Sequence, residues 1–198
     1  MSKERTAERR WICPTVGGAT TFTTREAGDD IYIEGYFAVF NSNYEIWDGA
    51  TESIAPGAFT DELAGDVRAL INHDDTLVLG RTLAGTLKLS EDTHGLYGSI
   101  LVNRNDQDAM NAYARVQRGD VSQCSFGFRI LEEDFEDRGA EGVHWTIKKV
   151  KLYEVSICTF PAYTDTNVKA RKDDLDAIRE RKKEAWRKAM LAKLKGGN

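Results

Sequence analysis

Cysteine is scarce in this chain of 198 residues. Cys13, Cys124 and Cys158 are far apart, and none of them forms a CxxC pair. This spacing argues against a disulfide framework and against a zinc knuckle, and it favours a reducing compartment. The chain also lacks a GxGxxG pattern and a P-loop, so nucleotide chemistry is not indicated and no cofactor or metal is expected.

Long apolar runs and an excess of positive charge are missing as well. The first residues, MSKERTAERRW, include no apolar stretch of the kind found in signal peptides, and no run of 18 apolar residues follows. We therefore expect a soluble protein with no membrane partner. A net charge of -5 argues against a specific nucleic-acid partner. A hydrophobic content of 41% is enough for a core, so one domain with an appendage is predicted.

Composition divides the chain into three parts. Residues 1–29 are charged and rich in Thr and Gly, which predicts a flexible N-terminal arm with at most one marginal strand. Residues 30–168 form the main domain. Residues 169–198 are predicted to form a charged, amphipathic helical tail. The segment 169–194 lacks Gly and Pro, and its apolar residues recur at the spacing of a helix. The tail is either a solvated helix with ion pairs or a segment that seeks an acidic partner.

The main domain is predicted to be α+β and rich in β-strands, either a barrel or a sandwich with a few helices. Strands are expected at 31–41, with a bulge at Gly35, and at 67–73, 85–92, 94–102, 121–131 and 143–158. The third and fourth of these form one hairpin, and the last two form another. Short helices are expected at 57–64 and from an Asn105 cap to Arg118, with Gly119 as the stop.

The stretch SQCSFGF at 122–128 is unusual for a strand that only packs. Alternation assigns Cys124, Phe126, Phe128 and Ile130 to the core face, and Gln123, Ser125, Gly127 and Arg129 to the other face. Glycine weakens a strand and leaves space for another backbone to approach. Ser125 is therefore a candidate nucleophile beside an open position, and a serine nucleophile needs an adjacent base.

Only three histidines are available as that base. His73, in LINHDD, lies where a strand meets a loop, whereas His94 lies in a predicted turn and His144 at a strand start. Taken alone, His73 is also consistent with a surface histidine whose neighbours Asp74 and Asp75 orient it. A metal site is a poor alternative, because a second histidine at ligand spacing is missing.

Glu154 is the candidate third member of a catalytic triad. It is a lone acid inside the predicted strand KLYEVSIC, where alternation assigns Tyr153, Val155 and Ile157 to the core face and Leu152, Glu154 and Ser156 to the other. A carboxylate in a strand needs a partner, and an imidazole N–H would complete a triad. The alternative is an ion pair across the sheet with Lys149, Lys151 or Arg129.

Six stretches in this order resemble the prohead maturation proteases of HK97-type tailed bacteriophages. They are GYFAVFN, ESIAPGAF, VRALINHD, LGRTLAGTLKLSEDTHGLYGSI, RGDVSQCSFGF and LYEVSICTFPAYTDTNV, and they span about 32–168. The resemblance implies a serine endopeptidase in the host cytoplasm, inside the phage prohead. It would cut scaffold segments from the major capsid protein, and usually itself. The family motifs fall on His73, Ser125 and Glu154.

The same family is distantly similar to herpesvirus assembly proteases. This similarity implies a β-barrel that carries its serine on the outside, with a few surrounding helices. Those enzymes use a second histidine as the third member, and His144 would be its counterpart here, although it does not lie in a matching motif. A self-associating homo-oligomer is a further hypothesis. The alternative function is a non-catalytic capsid scaffold or assembly factor that keeps the protease fold.

Overall fold

The computed structural model describes residues 10–12, 22–160 and 165–195, with side chains over 22–160 and 171–191. It confirms an α+β, β-rich class. The strands are β1 (Arg10–Ile12), β2 (Thr23–Ala27), β3 (Asp30–Val39), β4 (Tyr44–Trp47), β5 (Ala50–Ile54), β6 (Arg68–Ile71), β7 (Asp74–Arg81), β8 (Leu87–Glu91), β9 (Gly95–Leu101), β10 (Gln123–Asp137) and β11 (Val143–Cys158). The helices are α1 (Gln107–Arg118) and α2 (Asp165–Lys195).

Two compact units divide the chain, Met1–Tyr163 and Thr164–Asn198. All strands and α1 belong to the first unit. The second contains α2, so the predicted C-terminal helix is confirmed, with bounds a few residues wider than expected. No helix in the described ranges is long and apolar enough to cross a membrane.

The strands of the first unit form two sheets. The larger follows the order β1, β10, β11, β5, β4, and β6 and β7 branch from it. The predicted hairpin of β10 and β11 is its centre, and β11 then pairs in parallel with β5 along its first part and with β6 along its last. The smaller sheet has the order β2, β3, β9, β8. Neither sheet closes on itself through the described strands, so the expected barrel is not confirmed.

One apolar cluster joins the two sheets and α1. The alternation of side chains along β10 places Phe126 and Phe128 in the core. Ile33 and Phe37 of β3, in the other sheet, belong to the same apolar cluster. All four are completely buried. Each such side chain stabilises the fold by about 1.5–3 kcal/mol relative to an exposed one. The core therefore holds β10 rigidly at the positions on either side of Ser125.

The bulge in the first predicted strand is not at Gly35. Gly35 pairs regularly with Gly98, and the register shift between β3 and β9 comes at Phe37 instead. The shift lets Phe37 and Ala38 both turn into the core. Gly35 has another role, because a Cβ atom there would lie only 2.6 Å from the ring of Phe22.

The predicted helix at 57–64 is wrong. Only a single 3-10 turn forms, at Thr60–Glu62. The carboxylate of Glu91 on β8 accepts hydrogen bonds from the Phe59 amide and the Thr60 hydroxyl. These long-range bonds, together with the burial of Phe59, hold the segment against the sheet and leave no room for further helical turns.

Helix α1 follows its sequence signals closely. Its buried residues lie at helical spacing on one face, and they are Ala109, Ala112, Tyr113 and Val116. Gly119 ends it in the left-handed conformation, with φ of 87°. The N-cap is Asp106 rather than Asn105, because the Asp106 carboxylate accepts hydrogen bonds from the two amides at 108 and 109.

Candidate active site

The register of β10 and β11 brings two serines and an acid to one face. Ser125 lies opposite Ser156, and Gly127 lies opposite Glu154. Cross-strand partners share a face, with Cβ atoms about 4.5–5.5 Å apart. Cys124, Phe126 and Phe128 are completely buried on the opposite, core face, as the alternation predicted. Ser125 is therefore placed off the apolar core, beside the acid-bearing strand.

The predicted faces of Leu152 and Tyr153 are wrong. Gly127 pairs with Glu154 but Phe128 pairs with Leu152, so Tyr153 is an extra residue in a β-bulge. The bulge reverses the alternation: Leu152 enters the core, and Tyr153 turns to the cleft beside Glu154. The predictions for Val155, Ile157, Glu154 and Ser156 hold, because they lie after the bulge.

His73 lies in a tight turn between β6 and β7. Ile71 and Asp74 are cross-strand partners, which leaves Asn72 and His73 as a two-residue loop. Both have positive φ, 51° and 62°, as a type I′ hairpin turn requires. Asn tolerates this conformation well, and His is also enriched in it among non-glycine residues.

Asn72 anchors this turn to the end of β11. Its amide donates to the Ile157 carbonyl over 2.9 Å, and its Oδ1 accepts from the Thr159 amide over 2.9 Å. Because β6 runs parallel to β11, the turn arrives beside the last residues of β11. The turn therefore delivers His73 to the face that carries Glu154.

Hydrogen bonds join His73, Glu154 and Ser156 in one network. Nδ1 of His73 lies 2.8 Å from Oε1 of Glu154, and the Ser156 hydroxyl donates to Oε2 over 2.6 Å. The His73 amide donates to the Ser156 hydroxyl over 3.3 Å. Glu154 is completely buried, and the His73 side chain is 15% exposed. Buried charges are stable only when they are paired and hydrogen-bonded in this way.

The network determines which nitrogen of His73 carries a proton. A carboxylate only accepts hydrogen bonds, so Nδ1 carries a proton toward Glu154, and in the neutral ring Nε2 then has a lone pair. Nε2 lies 3.9 Å from Sγ of Cys158, on the same face of β11. An imidazole in this tautomer has the unprotonated nitrogen that a general base requires.

The structure separates the other candidates from this site. His144 pairs with Glu136, far along the hairpin from the pair of Ser125 and Ser156. Its ring nitrogens contact the hydroxyls of Thr51 and Ser53 at 2.7 and 2.9 Å. Burial lowers the pKa of His144, and the positive charge of Arg138 lowers it further.

The neighbouring acids and lysines also have other partners. The Asp74 carboxylate accepts bonds from the amide and hydroxyl of Thr76, which lower its pKa. Lys149 lies 3.3 Å from Asp61, and Lys151 lies 2.7 Å from Glu62. The observed partner of Glu154 is thus His73 and not a lysine.

A cleft of about 510 Å³ borders Glu154. Its walls include Arg68, Leu70, Val78 and Tyr153. Asp66 also lines the cleft, and its carboxylate accepts two hydrogen bonds from the Arg81 guanidinium, over 2.6 and 2.7 Å. These bonds lower the pKa of Asp66. Among the described residues, no group of three or more His, Cys, Asp or Glu could hold a metal ion.

Several of these residues were missed from the sequence. Ser156 lies two positions from Glu154, so the alternation that selected Glu154 also carried the signal for Ser156. Asn72, with an αL-tolerant side chain before a histidine, is a recognisable turn signal. No local sequence signal identified Arg68 or Tyr153 as cleft residues. Arg68 reaches the cleft through the parallel pairing of β6 with β11, and Tyr153 reaches it through the bulge in β11.

Known phage proteins are similar to this chain over most of its length. The family model described as caudovirus prohead serine protease matches residues 20–181. The prohead protease of Enterobacteria phage HK97 is 31% identical over 153 residues, which cover 74% of this chain and 64% of that protein. The chain thus spans less than two thirds of that relative's length. No solved structure matches. The extent of the family match, together with the identity to a named member, shows that the chain belongs to the caudovirus prohead serine protease family.

Proposed function

We propose that this chain is a serine endopeptidase of capsid maturation, with Ser125 as nucleophile, His73 as general base and Glu154 as the acid that orients the base. The observation that carries the proposal is the bond of 2.8 Å between His73 Nδ1 and Glu154 Oε1. It lies one strand away from Ser125, on the face that carries both Glu154 and Ser125. A packing role alone does not require a buried carboxylate and an imidazole at this place.

The chemistry follows from the tautomer. Nε2 of His73 accepts the Ser125 proton as Oγ bonds to the carbonyl carbon of a peptide, and the Glu154 carboxylate stabilises the resulting imidazolium. The imidazolium then protonates the leaving amine, the C–N bond breaks, and an ester on Ser125 remains. A water molecule, deprotonated by His73, hydrolyses the ester and restores the serine. Backbone amides are the expected donors to the oxyanion.

The proposed substrate is the scaffold segment of the major capsid protein, cut inside the prohead within the host cell, and the chain also cuts itself. Self-association inside the capsid is part of the proposal. Family membership supports this substrate class and this location, and the name of the HK97 relative supports a role in the prohead. The position of Ser125 on the face of β10 opposite the apolar core supports the likeness to herpesvirus assembly proteases.

Coexpression with the capsid protein tests this function. Wild type and Ser125→Ala are each produced with the major capsid protein of the same virus, and all chains are followed by intact mass. We expect the wild type to trim the capsid protein and itself, and the variant to leave both intact. Equal cutting by both would exclude Ser125. No cutting by either, in closed proheads, would favour a non-catalytic assembly factor.

A further inference from the structure

A strand from the chain's own N-terminal region lies on the edge of β10 beside Ser125. β1 pairs antiparallel with β10, with Trp11 opposite Gly127 and Ile12 opposite Phe126. The described pairing stops one position before Ser125. Among the described strands, β1 is the only neighbour of β10 on this side, and β11 takes the other side.

The strand order indicates from which side a substrate approaches. His73 is bound to Glu154 and Ser156, both on β11. The base removes the serine proton from that side, and the carbonyl carbon has to reach Oγ from elsewhere, because both cannot occupy one position. The side of Ser125 away from β11 is the outer edge of β10, where β1 is paired.

This edge suits an extended peptide. Sheet edges bind peptides as added strands, with backbone hydrogen bonds for affinity. Gly127, at the centre of the paired segment, has no side chain to keep a second backbone away. The backbone of β1 already makes these contacts from within the chain. Ser125 is completely buried in this arrangement, so a substrate reaches it only after a movement.

Resting on the proposed peptidase function, we propose that the outer edge of β10 at Phe126–Phe128 binds the substrate backbone as an antiparallel strand. β1 occupies this site within the chain and has to leave before a substrate is cut. β1 is therefore an internal competitor of the substrate.

A proline in β1 tests the competition. Trp11→Pro removes a backbone N–H and hinders strand pairing, whereas Ala7→Pro introduces the same residue three positions before the first residue of β1 in the sequence. Weaker pairing of β1 leaves the edge of β10 open more often, so we predict a rise of roughly tenfold in the cleavage rate of capsid protein. We expect this rise for Trp11→Pro and the wild-type rate for Ala7→Pro. A folded Trp11→Pro chain that cuts no faster than wild type overturns the proposal.

Amide hydrogen exchange tests the site without relying on activity. In the full chain with Ser125→Ala, we expect Trp11→Pro to accelerate exchange of the edge-facing amides within Phe126–Phe128. A synthetic peptide with the sequence of residues 7–15, added at about millimolar concentration to match a tethered segment, should restore their protection. Protection that the peptide does not restore overturns the strand site. If wild type fails to cut while the peptide protects the edge, the peptidase function fails and the strand site stands.

Discussion

Nδ1 of His73 and Oε1 of Glu154 lie 2.8 Å apart, although 81 positions separate the two residues in the chain. The other carboxylate oxygen of Glu154 accepts from the Ser156 hydroxyl, so both oxygens are engaged. The acid is completely buried. Its orientation is therefore set before any substrate binds.

Replacing Glu154 by Gln should leave the fold intact and slow cleavage. The amide oxygen still accepts from His73, but the negative charge that stabilises the imidazolium is lost. We expect kcat to fall by about 10²–10⁴-fold. Single-turnover cleavage of capsid protein measures this loss. Glu45→Gln, at an exposed position on β4, is the matched control and should cut at the wild-type rate. Wild-type kcat in Glu154→Gln would exclude the triad.

Ser156→Ala should weaken both stability and activity. It leaves Oε2 of the buried Glu154 without its hydroxyl donor, at a cost of about 1–3 kcal/mol. The freed carboxylate orients His73 less well, so kcat should fall while KM stays near the wild-type value. Ser53→Ala is the control, because it removes a buried hydroxyl that contacts His144 instead. Denaturant unfolding should report losses in both variants, and only Ser156→Ala should lose activity.

Substitutions at Asn72 separate the turn's backbone from its side-chain bond. Both Asn72→Gly and Asn72→Ala lose the Oδ1 contact with the Thr159 amide. Only alanine is also strained at φ of 51°. We expect Asn72→Ala to be less stable than Asn72→Gly by about 1 kcal/mol or more. Chemical denaturation compares them, and equal stabilities would mean that the turn is not strained.

Acidification should destabilise the fold through His144. Burial lowers the pKa of His144 in the folded chain. When the pH falls below the pKa that His144 has in the unfolded chain, the unfolded chain therefore binds a proton more readily than the folded chain does. The stability is present above about pH 6.5 and is lost as the pH falls toward the folded pKa. Melting temperatures at about pH 7.5 and pH 5 should differ less in His144→Gln than in wild type. An equal drop in both would assign the effect to other groups.

Much of the site could be predicted locally. Alternation in SQCSFGF identified Ser125 as the residue off the core face, because Cys124, Phe126 and Phe128 are all apolar. The short span between the last two strands indicated their hairpin. The same reasoning failed at Tyr153, where the bulge adds a residue. It also failed at 57–64, where hydrogen bonds to the Glu91 carboxylate hold the segment in place of a helix. Neither cause has a local signal.

The sequence by itself determined which side chains of β10 alternate around Ser125, where α1 ends, and which motifs the chain shares with prohead proteases. Those features depend on neighbouring residues and on local backbone preferences. Only the tertiary structure decided that His73 meets Glu154 and not Asp74 or a lysine, and that β1 lies beside Ser125. Both depend on pairings between strands distant in sequence, β6 with β11 and β1 with β10. The register of such pairings is set by hydrogen bonds and core packing across the whole sheet, which no single stretch of chain contains.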